Sequence, residues 1–100
     1  EIEAASPRDL REAGDRIRDK VNSGVVLLGA RVGDRAILTC MITPDLTDRF
    51  KAGDMIRALS RVVGGKGGGR PDMAQGGGDQ PQNLKKALDQ IYDLINEKSL

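Results

Sequence analysis

Val-Gly-Gly-Lys-Gly-Gly-Gly-Arg-Pro-Asp-Met-Ala-Gln-Gly-Gly-Gly, residues 63–78, is the stretch around which the rest of the chain is organised. It holds eight of the thirteen glycines and two cations, Lys66 and Arg70. Glycine has no Cβ, so such a run lets the backbone approach another backbone or a ligand closely, at a cost in conformational entropy. A flexible linker is the alternative. Because the run has no serine and lies between two periodic apolar segments, we expect an ordered, closely packed loop instead.

Known nucleotide-binding loops do not match this spacing. A P-loop requires glycine, four residues, then Gly-Lys and a hydroxyl residue. Counting from Lys66 puts Ser60 at the first glycine and Gly67 at the hydroxyl position. The dinucleotide fingerprint G-x-G-x-x-G follows a strand, whereas Gly65-x-Gly67 follows an apparent helix and has Arg70 in place of the third glycine. Both motifs therefore fail.

Length and composition indicate one globular domain with an aliphatic core. The chain has 100 residues, of which 38% are hydrophobic and 31% charged, and its only aromatic residues are Phe50 and Tyr92. Stacking of nucleic-acid bases on aromatic side chains is therefore nearly unavailable. The net charge is +1, so a nucleic-acid partner would have to use a local basic patch.

The reactive residue types are scarce. One cysteine and no histidine exclude a disulfide within the chain and a Cys/His zinc site. Cys40 lies in an apolar run and is expected to be a buried small hydrophobe in a reduced cytosolic protein. The carboxylate pairs Asp45/Asp48 and Asp89/Asp93 fall in turns or on helix surfaces, so we expect no catalysis from this chain alone.

The first half of the chain predicts one helix and one hairpin. Ser6 can cap a helix with Pro7 at its first position, and an apolar stripe at helical spacing follows from Leu10 to Val21. The apolar segments 25–32 and 35–43 are predicted strands, and Gly33-Asp34 between them is a two-residue hairpin signal.

The second half predicts a helix, the glycine loop, a short strand and a last helix. The second helix follows the polar turn and possible cap at 47–53 and should end at Gly64 in a left-handed cap. Met73-Ala74-Gln75 can form the strand, and Asn83 can cap the last helix. The stripe of that helix is expected to dock on the sheet: Leu84, Ala87, Leu88, Ile91, Leu94 and Ile95. The predicted fold is α/β (α+β), a small mixed sheet packed with helices in the order α-β-β-α-β-α.

The glycine loop has the chemistry of a phosphate site. Successive backbone N–H groups in a glycine-rich turn can form an anion-binding concavity. Lys66 offers a point charge and Arg70 a bidentate fork. The alternative is that the glycines serve packing alone and the two cations are merely solvated.

Residues 64–75, Gly-Gly-Lys-Gly-Gly-Gly-Arg-Pro-Asp-Met-Ala-Gln, resemble the signature near the C-terminus of alanyl-tRNA synthetase. A looser form of it marks the accessory domain of DHH-type phosphoesterases. The resemblance includes Thr47-Asp48-Arg49 and Lys51-Ala52-Gly53, and it covers roughly residues 23–98. The family usually has alanine where this chain has Gly76.

This resemblance implies a place in a larger enzyme. Residues 1–22 would be the end of a connecting helix, and 23–100 a single globular C-terminal domain. The chain starts at Glu1 without Met, so we expect it to be a fragment of something longer. That domain would contact the outer corner of alanine-specific tRNA through backbone and shape, linking aminoacylation and editing. ATP, magnesium and zinc would serve the parent, with no cofactor in this chain. We expect the other parent domains as partners, a monomer or weak homodimer, a cytoplasmic location and no membrane contact.

The residues expected to bind tRNA phosphates follow from the motif and from charge. The motif supplies Gly65, Lys66, Gly67, Gly68, Gly69 and Arg70, and electrostatics adds Arg49, Lys51 and Arg61. Gly68→Val is expected to damage folding as well as binding. An accessory domain of a DHH-type phosphoesterase, or an oligomerisation module using the last helix, remains the alternative.

Overall fold

Seven helices and strands make up the part of the chain that the computed structural model describes, residues 6–91 and 93–95. In chain order they are α1 (Pro7–Asp19), β1 (Val25–Val32), β2 (Arg35–Ile42), α2 (Ala52–Val62), β3 (Gly65–Gly69), β4 (Met73–Gly78) and α3 (Leu84–Asp89). Short 3-10 turns, Pro44–Leu46 and Pro81–Asn83, precede α2 and α3. The predicted class, helices packed on one small sheet, is confirmed.

The sheet differs in detail from the expected one. Its strand order is β1-β2-β4-β3, and every neighbouring pair is antiparallel. The expected mixed sheet of three strands is wrong, because residues 65–69 form a strand where a loop was predicted. That strand lies at the sheet edge and returns through a tight turn to β4. The order is therefore α-β-β-α-β-β-α.

Helix α1 covers part of one face of the sheet. It begins as predicted, with the Ser6 Oγ accepting a hydrogen bond of 3.2 Å from the Asp9 N–H. Leu10 is fully buried, and Gly14 lies against Met41 of β2. Ile17 is 40% exposed. These contacts form a small second core under α1; the division of the chain at residue 22 stays a prediction.

Helices α2 and α3 cover the opposite face, which we call the helical face. One row of paired residues crosses all four strands there: Gly29, Leu38, Gly76 and Gly67. A Cβ at Gly29 would lie 2.8 Å from the Leu84 Cδ1 of α3, so glycine is what lets that helix come close. Leu38 is the single side chain of the row and is 1% exposed. It belongs to the main core, together with residues of both helices.

The last helix docks on the sheet as predicted. Leu84, Ala87 and Ile91 are buried, and the other predicted stripe residues are partly buried against the main core. Tyr92 lies outside the described residues. Asn83 precedes the helix but makes no side-chain cap, so that prediction is wrong; its amide donates to the Gln80 side chain.

Both ends of α2 are closed by backbone. The Ala52 and Gly53 N–H groups donate to the carbonyls of Pro71 and Arg70, at 2.9 and 3.2 Å. The expected cap within 47–53 is absent, since Lys51 at the cap position makes no side-chain hydrogen bond to the helix. At the other end, Gly64 adopts φ +76 as predicted. The turn between β3 and β4 is thus fixed to the start of α2.

Cys40 lies within this core, as expected from its apolar surroundings. It is fully buried, and burial raises the pKa of its thiol to about 12. The neutral thiol is therefore the form present at physiological pH.

Candidate nucleic-acid interface

The site is organised by β3, a strand in which four of five residues are glycine. A Cβ at Gly67 would lie 2.6 Å from the Gly76 Cα and 2.6 Å from the Ile56 Cγ2. Because real Cβ atoms do not approach so closely, α2 packs directly on the bare backbone of β3 and β4. The glycines of this row therefore serve packing, which both the phosphate-binding and the packing interpretation of the motif require.

Gly68 faces the opposite side of the sheet from Gly67, and the expectation that Gly68→Val would damage folding is wrong. A Cβ at Gly68 would meet nothing within 4 Å, and its φ is not in the left-handed region. Successive residues of a strand face opposite sides of the sheet, so Gly68 faces open space on the side away from α2. Gly68→Val should leave folding intact.

The outer edge of β3 offers backbone donors. The Arg70 N–H donates to the Met73 carbonyl at 2.9 Å, and the register of β3 with β4 is regular. In an antiparallel pair, alternate residues direct their N–H groups toward the partner strand and away from it. Counting back from Arg70, the N–H of Gly67 points outward, away from the sheet.

A shallow pocket of about 430 Å³ lies between this edge and the flank of α2. Its lining is Arg57, Arg61, Gly65, Lys66 and Gly67. Two arginines of α2 and a backbone edge with an outward N–H therefore lie around one pocket. Lys66 also lines it, from the edge strand, although its side chain leaves β3 on the same side as Gly68, away from α2. Arg61, Lys66 and the two glycines were predicted site residues; Arg57 was missed. Its position four residues before Arg61 on a helix was the available signal.

The three cationic residues that line the pocket differ in whether they form an ion pair. Arg57 forms an ion pair with Asp54 at 2.5 Å, with both side chains more than half exposed. Arg61 and Lys66 are exposed and have no hydrogen-bonding or ion-pair partner among the described residues. Two unpaired cations and one weakly held cation give the pocket a net positive field.

Arg70 lies at the far end of β3, outside the pocket. Its guanidinium is 3.5 Å from the Asp72 carboxylate, and the two side chains are 68% and 48% exposed. Arg70 is a surface cation, as predicted, but it forms an ion pair with a neighbouring carboxylate. Gly69, adopting φ +157, leads into this turn. Surface ion pairs of this kind are weak and exchangeable.

Arg49 and Lys51 precede α2 and do not line the pocket. The Arg49 guanidinium carbon lies 5.6 Å from the centroid of the Phe50 ring. The Lys51 Nζ donates to the Thr47 carbonyl. The structure thus does not bring these two cations together with Arg61 and Lys66, and Lys51 already has a local partner.

Among residues 6–91 and 93–95, no three His, Cys, Asp or Glu side chains group closely enough to hold a metal ion. No helix in this part of the chain is long and apolar enough to cross a membrane.

Comparison with known proteins places this fold and this glycine strand in a defined family. The family model of the DHHA1 domain matches residues 1–97. The alanine–tRNA ligase of Desulfosudis oleivorans is 51% identical over 96 residues, which cover 96% of this chain and 11% of that protein. The alanine–tRNA ligase of Anaeromyxobacter dehalogenans is 51% identical over 85 residues, or 85% of this chain and 9% of that protein.

A solved structure gives the closer placement. The C-Ala domain from Aquifex aeolicus alanyl-tRNA synthetase matches with a TM-score of 0.86 and 31% identity, over 94% of this chain and 85% of that chain. The chain therefore belongs to the DHHA1 domain family and, within it, to the C-Ala domains of alanyl-tRNA synthetases. It spans about a tenth of the length of the curated relatives that it matches.

Proposed function

We propose that this chain is the tRNA-binding C-terminal domain of an alanine–tRNA ligase. The observation that carries the proposal is the cluster of unpaired cations beside the backbone edge of β3. An outward N–H and flexible cations suit phosphate oxygens, which bind backbone donors and Lys or Arg side chains. The near absence of aromatic residues favours contacts to the tRNA backbone and its shape over base stacking.

Lys66 and Arg70 define the length of the contact. They lie four residues apart in a strand and its turn, which is about 13 Å at the usual rise. Two side chains at that separation reach different phosphates. Arg61 extends the basic surface from β3 onto the flank of α2. On this proposal Arg49 and Lys51 form a second, weaker part of the surface.

The test is the salt dependence of tRNA binding in a Lys66→Ala/Arg70→Ala variant. Each lost phosphate contact should reduce the slope of log K against log salt by roughly 0.7 to 0.9, so the double variant should lose about 1.4 to 1.8. The loss should be similar for different tRNAs, because phosphate contacts carry no direct sequence information.

The matched control is Arg31→Ala/Arg35→Ala, which also removes two charges. Both residues are exposed and flank the turn of the β1–β2 hairpin, with Arg31 on the far edge strand and neither in the pocket lining. The control should leave the slope nearly unchanged. Equal losses in the two variants would reduce the effect to net charge and would contradict the proposed interface.

The chain's place in the whole enzyme follows from the same proposal. Aminoacylation and editing, with their ATP, magnesium and zinc, belong to other domains of the parent, and this domain holds the outer corner of the tRNA for both. The pure chain should then neither charge tRNA nor deacylate mischarged tRNA. Either activity above a no-protein control would contradict this division of labour.

A monomer or weak dimer in the cytoplasm is part of the proposal. The apolar stripe of α3 is already used against the sheet at Leu84, Ala87 and Ile91. A tight dimer at micromolar concentration in light scattering would require another surface and would contradict this assignment.

A further inference from the structure

We infer that the pocket between α2 and β3 is a discrete subsite for one phosphate group of a nucleic-acid backbone, held by Arg57, Arg61, Lys66 and the N–H of Gly67. This inference deepens the proposed function and rests on it. It adds a defined position on the interface, and it assigns Arg57 a binding role.

The helix supplies two guanidinium groups on one flank. The sheet-facing residues of α2 are buried, Ile56 and Ser60 among them, and they fix the rotation of the helix against β3 and β4. Arg57 and Arg61 are exposed and four residues apart, so they lie one above the other on the same flank. The packing of bare glycine backbone under α2 therefore sets where both side chains begin.

The strand supplies the remaining donors. Lys66 is exposed and has no ion-pair partner among the described residues. The N–H of Gly67 points out of the sheet, since β3 is an edge strand whose partner lies on one side only. A tetrahedral phosphate accepts hydrogen bonds on several oxygens at once. Two planar forks and one backbone N–H are matched to such an acceptor, and the long Lys66 side chain, which leaves β3 on the side away from α2, can reach it around the edge of the sheet.

Asp54 competes with the phosphate for Arg57. The two side chains form a 2.5 Å ion pair, but they are 56% and 57% exposed, and such pairs are worth little in water. A phosphate in the pocket would draw Arg57 away from Asp54 at small cost. The side chain of Asp79 lies by Gly64, and Asp79 is not part of the pocket lining.

The first experiment titrates the 100-residue chain with inorganic phosphate while backbone amide and arginine Nε signals are followed by NMR. We expect saturable shifts at Gly67, Arg57 and Arg61. Arg61→Gln should weaken phosphate binding at least tenfold, and the charge-matched control Arg31→Gln on the far edge strand should not change it. Asp54→Asn should tighten binding several-fold, and an additional Arg57→Gln substitution should abolish that gain, which a general electrostatic effect of Asp54 would not produce.

Shifts that never saturate, or that fall equally on Arg31 and Arg61, would mean general ionic screening and would overturn the subsite. If Asp54→Asn leaves the affinity for phosphate unchanged, Arg57 is not part of the subsite. Circular dichroism of each variant shows whether folding is kept; all the substituted side chains are exposed.

The second experiment separates this inference from the proposed function. tRNA should displace phosphate from Gly67, and Arg57→Gln/Arg61→Gln should reduce the salt slope of tRNA binding. If Lys66→Ala/Arg70→Ala lowers that slope but the arginine pair does not, the tRNA interface stands and the subsite is wrong. If phosphate binds saturably while tRNA does not bind at all, the proposed function fails, and the assignment to a nucleic-acid backbone fails with it.

Discussion

Hairpin β1–β2 carries mainly apolar side chains along both strands, whereas hairpin β3–β4 has glycine at seven of its eleven strand positions. The first hairpin buries its side chains between α1 on one face and the other two helices on the opposite face. The second hairpin has almost no side chains to bury, and α2 lies directly on its backbone.

This difference separates the two tasks of the domain. The β1–β2 side makes the core, because apolar area removed from water is the main stabilising contribution to folding. The β3–β4 side presents backbone groups and a few long cations at an edge, which is what phosphate recognition needs. The two hairpins are connected by one row of paired residues, Gly29, Leu38, Gly76 and Gly67. Its glycines let α3 and α2 pack closely on the sheet, and Leu38 lies between them.

The largest expected effect is on the side-chain hairpin. Leu38→Ala removes the one side chain of that row. The helices α2 and α3 can fill the resulting cavity only by shifting from the glycines on which they pack. Deleting such a buried leucine should cost about 2–5 kcal/mol of unfolding free energy, at the upper end here. Urea unfolding followed by circular dichroism measures it. A loss below about 1 kcal/mol would mean that the row is not the centre of the core.

The next effect compares two neighbouring glycines of β3. Gly67→Val forces a branched side chain onto the Gly76 Cα and the Ile56 methyl, and such overpacking should cost about 1–3 kcal/mol or more. Gly68→Val enters open space and should change stability by no more than about 0.5 kcal/mol. Urea unfolding of the two variants measures the loss of unfolding free energy in each. Equal losses would contradict the direct packing of α2 on this strand.

The side-chain hairpin was predictable from sequence and the glycine hairpin was not. A short, nearly continuous apolar run bounded by turn residues is a signal for a strand buried on both faces, and Val25–Val32 is such a run. Residues 65–69 have one side chain, on Lys66, so they carry no apolar pattern that could predict a strand. Their pairing with β4 is a tertiary effect, and the mistaken loop led to the mixed sheet.

The sequence identified only part of the candidate site, again because tertiary packing decides the remainder. The motif pointed to Lys66 and Arg70, and charge pointed to Arg61, so the sequence located the basic edge. It could not show that Arg57 faces the same pocket, because that depends on how α2 rotates over the glycines. Nor could it show that Arg49 and Lys51 lie apart from the pocket, or that Gly68 faces open space.

A smaller effect concerns the fit of α2 on β4. The Ser60 hydroxyl is buried without a hydrogen-bond partner in the described structure, and a Cβ at Gly76 would overlap it. Ser60→Ala should be neutral or stabilising by up to about 1 kcal/mol, since an unsatisfied buried hydroxyl is costly. Gly76→Ala should cost less in the Ser60→Ala background. A double-mutant cycle by urea unfolding should give a coupling of at least about 0.5 kcal/mol, and strict additivity would contradict this contact.

The smallest effect lies at the open ends of the two hairpins. The second is closed by a backbone hydrogen bond from Gln80 to Val63, whereas the first also uses side chains, with the Ser23 Oγ donating to the Asp45 carboxylate at 2.5 Å. The hydrogen bond from Ser23, followed by that from Thr43, lowers the pKa of Asp45. A lowered pKa means that this contribution to stability is present above the pKa of the unfolded chain and is lost as the pH falls through the folded value.

Ser23→Ala should therefore raise the pKa of Asp45 toward its ordinary value. An NMR titration of the side-chain carboxyl carbon of Asp45 measures this change. Because Asp45 is fully exposed, the change in stability should be small and should disappear at low pH, where the carboxyl is protonated in both variants. An unchanged Asp45 titration would show that side chains do not close this end of the first hairpin, and the two hairpins would then be alike at their ends.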